Sequence, residues 1–254
     1  MLLSILTRLL LLLPLSAAAA LPLRVAINDQ PAAPYIIGEG KSLASPPGLA
    51  VELLQQAAAP CNVYLLLQRQ SSLRQLQALR SGAADAILLL SYSPERAAFG
   101  YYPLRDGKPD SRYRLATLSY SFYVRSSSKL QWDGQQLQGL NGGTVGTDLG
   151  WSVAADLARW HIPVEGAVGV AANLAKLRAG RIAAYAVHNN LAEAYLQGSH
   201  DVVALQPPIS TKDYFLPFSL RYAAEHPQEV QCLWQRMASL RDALLQQRGP
   251  AYGQ

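Results

Sequence analysis

Gly82 to Arg96 read GAADAILLLSYSPER, and this stretch decides how the rest of the chain is read. Gly82 follows leucines at helical spacing (Leu73, Leu76, Leu79) and fits the C′ position that ends a helix. Ala86 to Leu90 is an unbroken apolar run, too short for a helix, and reads as a buried strand. Two hydroxyls, Ser91 and Ser93, follow it closely, and then a cation, Arg96. In an open α/β sheet, ligands bind just beyond the carboxyl ends of the strands. The stretch therefore delivers small hydrogen-bonding groups and one fixed positive charge to such a place.

The same alternation runs back towards the N terminus. Ser71 or Ser72 caps the helix that Gly82 ends. Val63–Leu67 reads as a strand. Leu49, Leu53, Leu54 and Ala57 line one face of a helix introduced by Pro46-Pro47-Gly48 and stopped before Pro60. Leu23–Asp29 is a strand with a polar end, followed by a turn-rich loop holding Pro34 and Tyr35. The order βαβαβ is that of a parallel sheet with covering helices.

Towards the C terminus the rhythm breaks and restarts. Residues 97–116, rich in aromatics, turn formers and charge, read as a surface loop. Leu118–Arg125 alternates apolar and polar and reads as an extended connection, and 126–139 is a polar linker with an Asp133-Gly134 turn. Then come strand Thr144–Thr147, helix Trp151–Arg159, strand Pro163–Gly166, helix Ala171–Ala179, strand Ile182–Val187, helix Leu191–Leu196 and strand Val202–Leu205. Residues 206–220 form a second extended connection. An amphipathic helix with the stripe Val230, Leu233, Trp234, Met237, Leu240 and Leu244 closes the chain. Leu76, Leu79, Arg80, Gly82 and Ala86 match Leu174, Leu177, Arg178, Gly180 and Ala184 at a constant offset, which pairs Ser91 with Asn189. Any helix–glycine–strand unit shares some of this pattern. Read functionally, it describes two pseudo-symmetric lobes facing a shared cleft.

The 254 residues suffice for two small lobes with cores of their own. Residues 1–20 combine Arg8, the apolar run Leu9–Leu15 and the Ala17–Ala20 cleavage region, the pattern of a secretory signal peptide; a membrane anchor is the other reading. Export implies a periplasmic protein, and loss of Arg8 lowers the formal charge from +5 to +4. A charge so small and so evenly spread does not point to nucleic acid. Cys61 and Cys232 enter an oxidising compartment, where one structural disulfide between them is the expectation. No metal-ligand spacing, phosphate loop or nucleophile–base pair stands out, so no cofactor and no metal are expected.

Several residues then stand out as ligand contacts, each with a structural alternative. Arg96 offers a planar fork that suits a carboxylate, with Ser91 and Ser93 as flanking donors; alternatively it only opens a surface helix after Pro94. Gly150-Trp151-Ser152 is a strand-to-helix turn whose free N–H groups favour an anion, with Trp151 stacking on a ligand or packing under the turn. His188 and Asn189 end a strand, where a histidine titrates near neutrality or is simply satisfied. Tyr35 closes the cleft from the first lobe or belongs to the core. Asp29, Asp85 and Asp148 lie near predicted strand ends, Asp85 reading as structural.

Placed together, these segments resemble the bacterial extracellular solute-binding proteins of family 3, the periplasmic amino-acid-binding type. The resemblance rests on LRVAIND…APY, PGLAVELLQQ, LQALRSGAADAILLLSYSPER, LNGGTVGTDLGWS, LRAGRIAAYAV and YFLPFSL, in that order. It implies an α/β, two-lobed type 2 periplasmic-binding fold: residues 21–118 plus 215–254 as one lobe, 119–214 as the other, joined by two extended hinge strands. It also implies a monomer that captures a small solute for an ABC permease or a membrane sensor. By the resemblance Arg96 binds the ligand's α-carboxylate, with Ser91, Ser93, Gly150, Trp151 and Ser152 around it. The acid that holds an α-ammonium falls on His188, a poor partner for a cation, which leaves room for an organic acid. An enzyme on the same scaffold, like the cyclohexadienyl dehydratases and using Asp29 or Asp148, is the alternative, as is an orphan binding protein without a transport role.

Overall fold

The computed structural model describes residues 19–252; the signal-peptide segment lies almost wholly outside them. In chain order the main elements are β1 (Leu21–Asn28), α1 (Leu49–Ala58), β2 (Val63–Gln70), α2 (Ser72–Ser81), β3 (Ala86–Ile87), β4 (Leu90–Ser91), α3 (Pro94–Ala97), β5 (Gly100–Tyr101) and β6 (Ala116–Arg125). They continue with β7 (Val145–Asp148), α4 (Val153–Arg159), β8 (Val164–Ala167), α5 (Val170–Arg178), β9 (Ala184–His188), α6 (Asn189–Leu196), β10 (Val202–Ala204), β11 (Ser210–Phe215), β12 (Phe218–Ser219), α7 (Leu220–Glu225) and α8 (Pro227–Arg248). Among the described residues no helix is long and apolar enough to cross a membrane.

Two sheets organise the chain. The first has the order β2-β1-β3-β12-β5, with β1 parallel to both β2 and β3. Leu23, Val25 and Ile27 of β1 are fully buried against α1 and the stripe of α8, where Val230, Leu233, Trp234 and Met237 are buried. Trp234 donates its indole N–H to the Leu216 carbonyl at 2.8 Å, so this polar atom is satisfied within the core. Cys61 and Cys232 are joined in a disulfide that ties the end of α1 to α8.

The second sheet has the order β8-β7-β9-β6-β11-β4, with β10 also paired to β6. Strand alternation splits its core. Ala184 and Ala186 of β9 pack with Phe122, Val145 and Leu157 on one face, while Tyr185 and Val187 pack with Leu174, Leu177 and Leu191 on the other. β6 and β11 run antiparallel from Ala116↔Tyr214 to Tyr120↔Ser210, and β11 then leads through Leu216-Pro217 into β12 of the first sheet.

Two expectations need correction. Ala86–Leu90 is not one strand. Leu89 sits at φ 68°, and this left-handed residue breaks the run, leaving Ala86–Ile87 in the first sheet and moving Leu90–Ser91 onto β11 in the second. Residues 97–116 are not a plain loop either. They hold β5, which pairs with β12, and the buried Tyr102, whose hydroxyl donates to the Ser91 carbonyl at 3.0 Å.

Candidate functional site

β4, the turn after β7 and the carboxyl end of β9 converge where the two sheets meet, around a cavity of ≈ 70 Å³. At ~10–15 Å³ for each water, that is room for roughly five waters or one compact solute. Ser91, Arg96, Gly150, Trp151, Ser152 and His188 all line it.

Arg96 is brought there by a helix start. Pro94 occupies the first turn of α3, and Ser93 is the N-cap, its Oγ accepting the Arg96 N–H at 3.3 Å. Ser93 therefore fixes the arginine's backbone and does not line the cavity. The Arg96 residue is only 9% exposed. Its Nη1 donates to the Ser91 carbonyl at 2.9 Å and to Ser91 Oγ at 2.7 Å, and its Nη2 donates to the Gly150 carbonyl at 3.0 Å. Among the described residues no carboxylate pairs with it. A buried guanidinium held only by neutral oxygens keeps a full uncompensated charge.

The opposite wall approaches closely. Gly150 has φ 81°, a left-handed conformation that favours glycine, and a Cβ there would press on Leu73 Cδ2 at 3.1 Å. Trp151 reaches across and donates Nε1–H to Ser72 Oγ at 3.1 Å, while Asn28 donates to the same hydroxyl at 2.8 Å. Asn190 donates to the Ala33 carbonyl at 2.5 Å. Ser91 Oγ donates to Ser152 Oγ at 3.2 Å, and Lys212 Nζ donates to Ser152 Oγ at 3.1 Å. Lys212 in turn pairs with the buried Asp156 at 2.5 Å, which Arg159 also holds. The two halves thus meet across the cleft, and one hydrogen-bonded chain runs Arg96–Ser91–Ser152–Lys212.

His188 is buried in an aromatic cluster. Its ring stacks on Tyr120 with centroids 3.8 Å apart, Trp151 lies 5.2 Å away, and Nε2 is 2.9 Å from the Tyr214 hydroxyl. Burial, aided by the Lys212 charge, pushes its pKa down to about 3. Of the two readings of His188, this opposes titration near neutrality: the imidazole is neutral throughout the neutral range.

Four further sequence candidates lie elsewhere. Asn189 starts α6 without lining the cavity, and the neighbouring Asn190 lines it instead. Tyr35 is partly buried against the core of the first sheet. Asp29 lines a separate 40 Å³ cavity, as does Asp148. Burial raises the Asp148 carboxyl, but Oδ1 accepts from the Gly169 N–H at 2.7 Å and Oδ2 from the Tyr185 hydroxyl at 2.5 Å, so the group is committed to holding the turn. Asn28, Ser72, Gln75, Tyr120, Tyr214 and Lys212 contribute to the site or its support and were not singled out from the sequence. Tyr120 and Tyr214 sit on the two extended connections, and the alternation of LSYSFYVR gave a signal for Tyr120 alone.

With this geometry in view, the chain can be set beside solved structures. A mutant of ArgBP from T. maritima superimposes with a TM-score of 0.69 at 16% identity, over 89% of this chain and 94% of that one. The chain has the type 2 periplasmic-binding fold. The same fold is matched by the GluR0 ligand-binding core from Nostoc punctiforme in complex with L-glutamate (TM-score 0.67, 17% identity, 89% and 98% of the two chains). It is matched too by the ABC-transporter substrate-binding protein AbpA from Streptococcus pneumoniae bound to L-arginine (TM-score 0.68, 18% identity, 91% and 94%). No protein-family model matches the chain, and no curated protein matches it in sequence. The cavity around Arg96 is lined by Asn28 at the end of β1 in the first sheet and by His188 at the end of β9 in the second.

Proposed function

We propose that the protein is a periplasmic solute-binding protein that captures a small carboxylate-bearing solute between its lobes. One observation carries this reading: Arg96, nine-tenths buried, lines the cavity, and among the described residues no carboxylate pairs with it. Such a charge is costly to keep unless an anion completes it, and a guanidinium matches a carboxylate bidentately. Five N–H donors with three committed leave Nε–H and one Nη2–H for that anion.

The lobes divide as residues 21–118 plus 215–254 and 119–214, and hinge motion of β6 and β11 admits the solute. Residues 1–20 direct export and are removed. The loaded protein, a monomer, delivers its solute to an ABC permease or presents it to a membrane sensor, without transforming it. The engaged carboxyl of Asp148 supports binding over catalysis. A thermal-shift screen of small mono- and dicarboxylates tests the proposal, since a ligand of the folded state raises Tm by mass action. A rise with at least one acid in the wild type, lost in Arg96→Met, is the expected outcome. A screen in which Arg96→Met responds to the acids like the wild type sinks it.

A further inference from the structure

The cavity has one fixed charge in its lining. Besides Arg96, its polar contributors are neutral: serine and tyrosine hydroxyls, the amides of Asn28, Gln30, Gln75 and Asn190, and the uncharged His188. Among the described residues no aspartate or glutamate lines it. The nearest acids are engaged or placed elsewhere. Asp148 holds Tyr185 and the Gly169 N–H, Asp156 holds Lys212 and Arg159, and Asp29 lines the neighbouring cavity, with Trp151 and Ser72 in the wall shared by both. Lys212, which meets Ser152 beside the cavity, is itself paired with Asp156 and so leaves that carboxylate unavailable to a ligand's ammonium. The remaining wall is apolar or aromatic: Ala32, Ile36, Leu118, Leu191, Tyr120 and Trp151.

We infer that this site takes compact carboxylates that carry no ammonium group and rejects the α-amino acids of the same carbon skeleton. The inference rests on the carboxylate reading above and narrows its ligand class. A carboxylate takes the free edge of Arg96, and an apolar body lies against the leucines and aromatics. An α-ammonium in a space for roughly five waters sits close to Arg96, with no opposite charge in the lining to replace its lost water. Desolvation of an unpaired cation and repulsion from a like charge both oppose it.

The test is calorimetry at pH 7.5 on the full mature protein with four acids of one skeleton: 3-methylbutanoate, its 2-hydroxy and 2-oxo derivatives, and valine. 3-Phenylpropanoate and phenylalanine form a second pair of larger bulk. In at least one pair the acid without the ammonium binds about tenfold or more tightly than its amino acid. Equal or tighter binding of the amino acids overturns the inference while leaving a carboxylate-binding site in place. Binding of none of the six, with no response in the wider acid screen, overturns both. Every arm uses the unaltered protein, so no variant has to fold for the test to read.

Discussion

Two helix–glycine–strand units build opposite walls of the cleft, and they begin alike. Gly82 at φ 71° donates to the Leu79 carbonyl at 3.2 Å, and Gly180 at φ 70° donates to the Leu177 carbonyl at 3.1 Å. Ala86 and Ala184 then open the two strands. From there the units diverge. The second runs straight to His188, which ends in a neutral aromatic stack. The first breaks at Leu89, crosses to the other sheet and ends in a charged, unpaired Arg96. One repeated local pattern thus supplies a cation on one side and an apolar, uncharged surface on the other. The charge asymmetry of the cleft is set by the residues at and beyond the strand end, not by the strand.

The asymmetry between the two units is open to test at several points, beginning with the frame that carries Arg96. The disulfide belongs to the first half alone and closes a separation of 171 residues. The double variant Cys61→Ala, Cys232→Ala loses up to ~5 kcal/mol of unfolding free energy in the loop-entropy account. Urea titration measures it, and an unchanged midpoint would mean the halves do not depend on this tie. Next comes the charge. Arg96→Met weakens binding of the best acid from the calorimetric series about 100-fold, the scale of a lost charge-assisted bidentate contact at about 3 kcal/mol. An unchanged affinity would place the anion elsewhere.

The neutral wall has its own signature. His188 takes up a proton near 6.5 when unfolded but only at about 3 when folded. Between those values the unfolded chain binds more protons, so stability is full above pH 6.5 and falls as pH drops, by about 1.4 kcal/mol per unit. Wild type then loses roughly 2 kcal/mol more than His188→Phe between pH 6.5 and 5. Ligand affinity stays flat from pH 8 to 6, because the imidazole carries no charge in that range. Parallel stability–pH profiles for the two proteins would contradict the buried neutral histidine. The smallest effect concerns the break. A β-branched residue suits the left-handed region worst, so Leu89→Ile costs about 1 kcal/mol more than Leu89→Gly. A continuous strand would give the reverse order.

Much of the frame was legible in residues. Leucine spacing and terminal glycines located α1, α2, α5 and α8, because amphipathic helices record their buried face at short range. The corrections arise where long-range pairing overrides local pattern. Leu88 and Leu89 are equally apolar, and only the pairing of Leu90–Ser91 with β11 makes one of them left-handed. Of the candidate site, the strand-end residues Ser91, Arg96, Gly150, Trp151, Ser152 and His188 were legible, and they line one cavity. Its support was not. Ser72 meets Trp151, and Lys212 meets Ser152, across separations of 79 and 60 residues that no local spacing encodes. The charge state of His188 was hidden for the same reason, since Tyr120, Trp151 and Tyr214 enclose it from three other segments.

The claim that Arg96 is the anion clamp is met most directly by the Arg96 side chain itself. In ¹⁵N–¹H spectra its Nε–H resonance is assigned by its loss in Arg96→Lys. Titration with the acid that binds best shifts this resonance in step with calorimetric saturation. Saturation of the protein with the Arg96 Nε–H resonance unmoved would contradict the account.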